Sequence, residues 1–499
     1  MEDVSSERLV RSITWKQGLF IALGVPILIL PSLYDVADTL WAFSIVMWTI
    51  CVLQGFLQNT AYGEMVTTFP RAAGLPGCAQ VVFTPENQTK KYDTGKLIGA
   101  FCAWCYWFAW TPVVSIFTLM IGDYILYTDV FTGLSDVEPL IVYVLLGLVI
   151  VTVMTLISAR GLTGGSFFGL ILAILAIGPL VVILVGAYFA GGEFGGALFD
   201  LNNISSNWLP DDTGMFGAWT WSFQDIVFLF GIFALAQWSG CAWETAALYG
   251  PEYKEPNKDV PKALFACGFI CLILYFFVAF SVFGALGMDG IDACGYATLV
   301  PIAQAVFGDI GGPIAVFMLV AAMLLIIQTG FLGSSRTLYY MSEEGNLPKF
   351  LKKQNKRGMP VNAMITVSVV NMILVLTATY KSDIIGDGGP MMILAGSAIS
   401  YCLAHVVALS AYYKARTNAR FKDLPRPFSA PKGWKYVALF MVGYEAFVLI
   451  PCLIWWMYMS EWNLFIGPII IIAIIPLWFF TQNKIRKEQD AAGAEPAEE

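Results

Sequence analysis

Two short stretches in this 499-residue sequence carry residue types that break helices or expose backbone, and both lie inside long apolar runs. The first is Gly24-Val25-Pro26-Ile27, where Pro26 removes one helical N–H and Gly24 is conformationally permissive, so the helix is expected to unwind. The second is Trp238-Ser239-Gly240-Cys241-Ala242-Trp243-Glu244, a small and polar interval in an otherwise hydrophobic run. Unwinding at membrane depth frees amides and carbonyls that only a ligand, an ion, water or a neighbouring helix can satisfy. Interruptions at corresponding positions of two halves are the pattern of an inverted-repeat carrier with its substrate held between the breaks. The competing reading is a proline kink and ordinary small-residue packing.

Other residues extend this chemistry. His405 is the only histidine and lies deep in an apolar run, where an ionisable group is a functional candidate able to carry a proton near neutral pH; a neutral ring bonded to a carbonyl is the alternative. Glu244 follows the second break and either pairs with polar groups of the inner half-helix or contacts a gate or substrate. Ser334 and Ser335 could offer hydroxyls to a sodium ion near Gly24, or simply bond between helices. Asp35, Asp38 and Asp225 sit near outer helix ends, and Trp238, Trp243 and Phe233 could wall a pocket suited to an ammonium group. The Cys102/Cys105 pair, like most of the 10 cysteines, lies in an apolar run and reads as packing.

The composition says what must position these residues. The chain is 58% hydrophobic and 13% charged, against about 25% charged in soluble domains, with a mean hydropathy of +0.70. A soluble multidomain enzyme is excluded. No HExxH, GxSxG or clustered His and carboxylate set is present, so no catalytic residues, resident metal or cofactor are expected, only Na+ or H+ as a coupling ion. No basic arm or phosphate-binding glycine loop occurs, so the partners are a small solute and the bilayer, with no nucleic acid. Apolar runs at 17–36, 40–64, 97–127, 138–158, 164–191, 221–249, 261–287, 311–341, 361–380, 389–412, 436–458 and 463–481 predict an all-α polytopic membrane protein with twelve transmembrane helices. Alternating loops hold nearly all the Lys and Arg, including the Arg336–Arg357 and Lys414–Lys435 clusters, and only Lys381 falls on the opposite side. That asymmetry predicts a protein of the cytoplasmic membrane with both termini cytoplasmic. Trp41, Tyr124, Trp219 and Trp456 near span ends suit interfacial anchoring.

At this point the residues resemble a family. Glu244-Thr-Ala-Ala-Leu-Tyr-Gly-Pro-Glu252-Tyr-Lys-Glu-Pro256, with Pro261 beyond it, is similar to the sixth helix and following loop of the amino acid–polyamine–organocation superfamily. Gly333-Ser-Ser-Arg336 through Gly345-Asn-Leu-Pro348 resembles the eighth helix, and Tyr62-Gly-Glu64 with Phe69-Pro70-Arg71 the end of the second.

The resemblance implies a LeuT-like five-plus-five inverted repeat: residues 1–16 as cytoplasmic N-terminus, 17–191 and 221–412 as the repeats, 436–481 as two extra helices and 482–499 as cytoplasmic tail. It implies alternating-access transport of an amino acid or derived amine, by ion coupling or exchange, with a transporter-like nutrient receptor as the alternative from another class. Substrate would meet backbone at Gly24–Ile27 and Ser239–Ala242 beside Trp238, with Glu64 and Arg336 in a closing network. Two departures stand out. The family's Gly-Ser-Gly is Gly24-Val25-Pro26 here, which costs one amide donor, and the fifth-helix lysine of proton-coupled relatives is replaced by Ala176.

Overall fold

A computed structural model describes residues 9, 11–86, 92–127, 137–191, 198–205, 219–379, 390–459 and 466–494. Of the loop charges that define the predicted topology, Arg8, Lys90, Lys91, Asp129, Asp136, Asp211, Asp212, Lys381, Asp383, Asp387 and Glu461 lie outside these residues, as do the side chains of Asp38 and Trp456.

The regular structure of the described residues is helical apart from one isolated parallel bridge between Ile13 and Tyr253. In order, α1 spans Trp15–Ala22, α2 Gly24–Ile27, α3 Ile29–Leu40, α4 Phe43–Thr68, α5 Gly74–Phe83, α6 Thr94–Trp110, α7 Val113–Tyr127, α8 Pro139–Ser158, α9 Leu162–Gly186, α10 Asn202–Ser205 and α11 Phe223–Gly240. A 3₁₀ segment, Ala242–Glu252, leads to α12 Pro256–Cys294, α13 Leu299–Phe307, α14 Gly311–Glu343, α15 Val361–Thr379, α16 Pro390–Thr417, α17 Trp434–Met459, α18 Ile466–Ile472 and α19 Ile474–Ala494.

Ten helical stretches among the described residues are long and apolar enough to cross a membrane. Helices α4 and α16 coincide with the second and tenth predicted spans, and they carry the buried polar residues Gln54, Gln58, Asn59, Glu64, Ser397, Ser400 and His405. The outer surface supports membrane embedding. On α8 the exposed residues include Ile141, Leu145, Leu148, Val149 and Leu156; on α9 they include Phe167, Ile171, Ile174 and Leu175; on α12 they include Phe269, Ile273 and Phe276. Stripes of this kind at helical spacing suit lipid tails and would be costly in water.

Inside this ring α14 packs on α7 and α9, α12 on α4, α11 on α4 and α17, and α16 on α6 and α17. Helix α12 is broken near its C-terminal end, where Gly287 takes φ 66°, a backbone region that favours glycine. Trp41 and Tyr124 are not surface anchors: both are buried, Trp41 stacked on Phe283 at 4.8 Å, because the α3–α4 turn folds against α12.

Candidate functional site

The first interruption lies at Leu23 and Leu28, on either side of α2. Both residues keep right-handed dihedrals, φ −63° and ψ −12° and φ −58° and ψ −15°, so the chain passes through two tight turns rather than an extended gap. The Leu28 N–H donates to the Val25 carbonyl at 3.0 Å, an i to i−3 bond. Pro26 cannot donate to the Ala22 carbonyl, which receives the Cys267 thiol at 3.7 Å instead. The Ile21 carbonyl accepts the Thr329 hydroxyl at 2.6 Å. Neighbouring helices therefore satisfy the backbone groups that Pro26 loosens. Gly24 makes this possible, since a Cβ there would stand 2.4 Å from Thr329 Oγ1 and 2.9 Å from the α14 backbone at Ile326.

The second interruption falls at Cys241, with φ −102° and ψ −14°, after which the chain continues as 11 residues of 3₁₀ helix. Runs longer than about four residues in this form are uncommon and often mark a hinge. The Cys241 carbonyl accepts from Trp243 N at 2.9 Å and from the Asn59 amide at 3.3 Å. A third break separates α6 from α7 at Thr111-Pro112, and there the Trp238 indole donates to the Ala109 carbonyl at 3.1 Å.

Between these breaks lies a closed polar centre. Glu244 is 1% exposed, and its carboxylate accepts the hydroxyls of Tyr106 from α6 at 3.2 Å and of Tyr401 from α16 at 3.3 Å. Ser397, Tyr401 and His405 recur every fourth residue and so share one face of α16. His405 Nδ1 meets the Tyr62 hydroxyl at 2.6 Å, its ring lies 4.1 Å from that of Tyr401, and its Nε2 has no partner among the described residues. The hydroxyls of Thr111, Thr245, Ser397 and Ser400 are also buried without partners. An unmet buried hydroxyl costs about 1–3 kcal/mol, a penalty that a polar partner would relieve. Trp238 also helps line a small cavity with Pro31, Ser32, Asp35, Met120 and Tyr296, in which Asp35 accepts the Tyr296 hydroxyl at 2.7 Å. That cavity holds about 20 Å³ for water-sized occupants, enough for a water and too little for an amino acid.

The description "Amino acid permease" belongs to a family whose pattern matches residues 13–484. The chain belongs to the amino acid permease family. Among its relatives, the permease is 22% identical to the arginine/ornithine antiporter of Lactococcus lactis subsp. cremoris, over 80% of this chain and 75% of that one. It is also 22% identical to a probable threonine/serine transporter of Bacillus subtilis, over 89% of this chain and 90% of that one. Its fold is similar to that of a manganese transporter of Eremococcus coleocola, at a TM-score of 0.58 and 11% identity over 97% of this chain and 99% of the other.

The permease redistributes the roles expected from sequence. Gly24, Val25, Pro26, Ile27, Trp238, Ser239, Gly240, Cys241 and Ala242 are all buried at the two interruptions. Trp243 turns away into a groove between α4 and α12, where a Cβ on Gly55 would approach it to 2.4 Å and one on Gly268 to 3.0 Å. Ser334 and Ser335 bond to the Gly330 and Leu332 carbonyls of their own helix at 2.7 and 3.1 Å. The hydroxyl that reaches the first interruption is Thr329, more than a turn earlier on α14. Asp225 caps α11, accepting the Thr220 and Ser222 hydroxyls at 2.9 and 3.0 Å. Ala176 is buried on α9, which packs against α1.

Glu64 and Arg336 do not meet. Arg336 pairs with Glu252 through Nε–Oε1 at 2.6 Å, with both side chains fully buried. Glu64 gathers Arg416, Arg426, the Tyr412 hydroxyl and the Ala430 N–H. The N-terminal segment docks beside the first pair, since Ser12 N donates to the Glu252 carbonyl at 2.8 Å and Lys254 N to the Ile13 carbonyl at 2.8 Å. Sequence reasoning missed Tyr106, Tyr401 and Thr329, which are ordinary residues in apolar helices. Pro112 at mid-span was a signal for the third break.

Proposed function

We propose that this family member carries an amino acid or an amino-acid-derived amine across the cytoplasmic membrane by alternating access, with both termini cytoplasmic and the solute held between the α1–α3 and α11–3₁₀ interruptions. The count of twelve spans in a LeuT-like five-plus-five inverted repeat is part of this reading. The observation that carries it is Glu244: a buried carboxylate held by Tyr106 and Tyr401, with no cationic side chain in ion-pair range among the described residues, beside several hydroxyls lacking partners. A substrate ammonium would supply the missing positive charge, and its other polar groups would meet the Thr111, Thr245, Ser397 and Ser400 hydroxyls. The missing amide at Pro26 favours a solute whose acid group is absent, distant or held elsewhere.

Exchange in place of ion-coupled uptake is the second reading. It is favoured by Ala176, which puts an apolar side chain where the family resemblance implies a lysine, and by the antiporter among the relatives. The test is uptake of labelled amino acids and amines into proteoliposomes. Saturable uptake that shows counterflow supports the carrier; its absence across the whole solute panel, or non-saturable flux, overturns it.

A further inference from the structure

A second buried carboxylate lies outside both interruptions. Glu445 sits on α17 and is fully buried. Its Oε1 accepts the side-chain amides of Gln54 at 3.0 Å and Gln58 at 2.5 Å, both from α4, and its Oε2 accepts that of Gln237 from α11 at 3.0 Å. Gln54 also donates to Gln237 Oε1 at 2.7 Å, and Gln237 to the Cys402 sulfur of α16 at 3.0 Å. No Lys, Arg or His forms an ion pair with Glu445 among the described residues.

The hydrogen-bond inventory of this network is short of donors. Every amide N–H₂ of the three glutamines is in use, while Gln54 Oε1 and Gln58 Oε1 are buried with nothing to accept. The network can house one proton on Glu445: rotation of the Gln58 amide brings its oxygen to the carboxyl, whose new O–H then donates to it. A metal cation fits less well, because the carboxylate already faces three N–H donors whose positive ends would repel it.

Glu445 interacts electrostatically with Cys51 and Tyr62 on α4, Cys402 on α16, Tyr444 on its own helix, and Cys241 and Glu244 at the α11 hinge; Tyr401 and His405 lie within a turn of Cys402 along α16, and Cys452 two turns along α17. None is cationic at neutral pH unless His405 is protonated. The network also has mechanical reach. Gln237 lies one turn before Gly240, the last residue of α11 ahead of the Cys241 hinge, so the charge on Glu445 bears on how firmly α11 is tied to α4 and α17.

We infer that Glu445 is the proton-carrying site of this protein: it takes one proton from water to become a neutral carboxylic acid, donates to Gln58, loosens its hold on Gln237 and returns the proton when α11 moves back. This rests on the carrier reading for its consequence and on the side-chain network for the site itself. Two measurements separate them. In pH-difference infrared spectra of the purified protein, the wild type is expected to show a protonated-carboxyl stretch that Glu445→Gln lacks and Glu445→Asp restores at a shifted frequency. In proteoliposomes, Glu445→Gln is expected to lose solute accumulation driven by a pH gradient, while counterflow, which needs no gradient, persists as proof of folding. An unchanged carboxyl band in Glu445→Gln overturns the site, and gradient-driven accumulation at the wild-type level in that variant overturns its coupling role. A wild-type protein that moves no solute overturns the carrier reading alone, because the infrared arm still decides whether Glu445 binds a proton.

Discussion

The Arg336–Glu252 pair offers the sharpest energetic test, because both charges are fully buried and each has few other partners. The guanidinium meets the carboxylate twice, at 2.6 Å through Nε and 3.3 Å through Nη2. Its remaining contacts are the Leu332 carbonyl at 3.3 Å, the Met359 sulfur at 3.7 Å and the Tyr249 ring 5.4 Å away. At an effective dielectric of about 20, unit charges about 4 Å apart attract by about 4 kcal/mol. Deleting one partner forfeits that attraction and leaves the other charge buried, a loss of about 3–5 kcal/mol. Replacing both with apolar or neutral isosteres removes the attraction and the desolvation penalty together and is often close to neutral. Arg336→Met and Glu252→Gln are therefore each expected to destabilise strongly, whereas the double variant recovers most of the loss. The assay is reversible unfolding in mixed detergent micelles, read as a double-mutant cycle with a coupling energy of about 2 kcal/mol or more, within the range measured for contacting residues. Single variants that unfold like the wild type, or a double variant whose loss is the sum of the singles, would refute the idea that this pair ties α14 to the 3₁₀ segment.

The other predictions probe the centre and the helix contacts. Gly24→Ala drives a methyl into Thr329 and the α14 backbone and is expected to destabilise by about 1–3 kcal/mol; Gly240→Ala, whose Cβ would come no nearer than 3.2 Å to its closest neighbour, Cys51 Cβ, is expected to cost much less, and equal stabilities on thermal unfolding would contradict the packing described. Tyr106→Phe or Tyr401→Phe removes one hydroxyl donor from Glu244, worth about 1.5–3 kcal/mol for a bond to a charged group, and should shift solute affinity about tenfold or more in counterflow titrations. His405→Asn should leave the pH profile of uptake unchanged if Glu445 carries the proton; a flattened profile transfers that role to the histidine. Thr329→Val strips the Ile21 carbonyl of its hydroxyl and should lower thermal stability by about 1–3 kcal/mol, an effect absent in Ser335→Ala.

The membrane class, the positions of the apolar helices and the family were legible because they rest on local properties: runs of apolar residues, loop charges, and motifs such as Glu244 to Pro256 whose spacing is a property of the chain alone. Pro26 and Gly240 likewise announced where backbone hydrogen bonding falters. What became of the loosened groups was not local. Whether the Ala22 and Ile21 carbonyls face a solute or a neighbouring helix depends on Cys267 and Thr329, hundreds of residues away and brought close only by the packing of α12 and α14 on α1. The same holds for Trp243, a pocket wall by sequence and a wedge between α4 and α12 in three dimensions. It holds most of all for Glu445, which in the chain is one acid in an apolar run. Only the meeting of α4, α11 and α17 surrounds it with three amides and, among the described residues, no cation, because a buried charge takes its meaning from partners supplied by other helices.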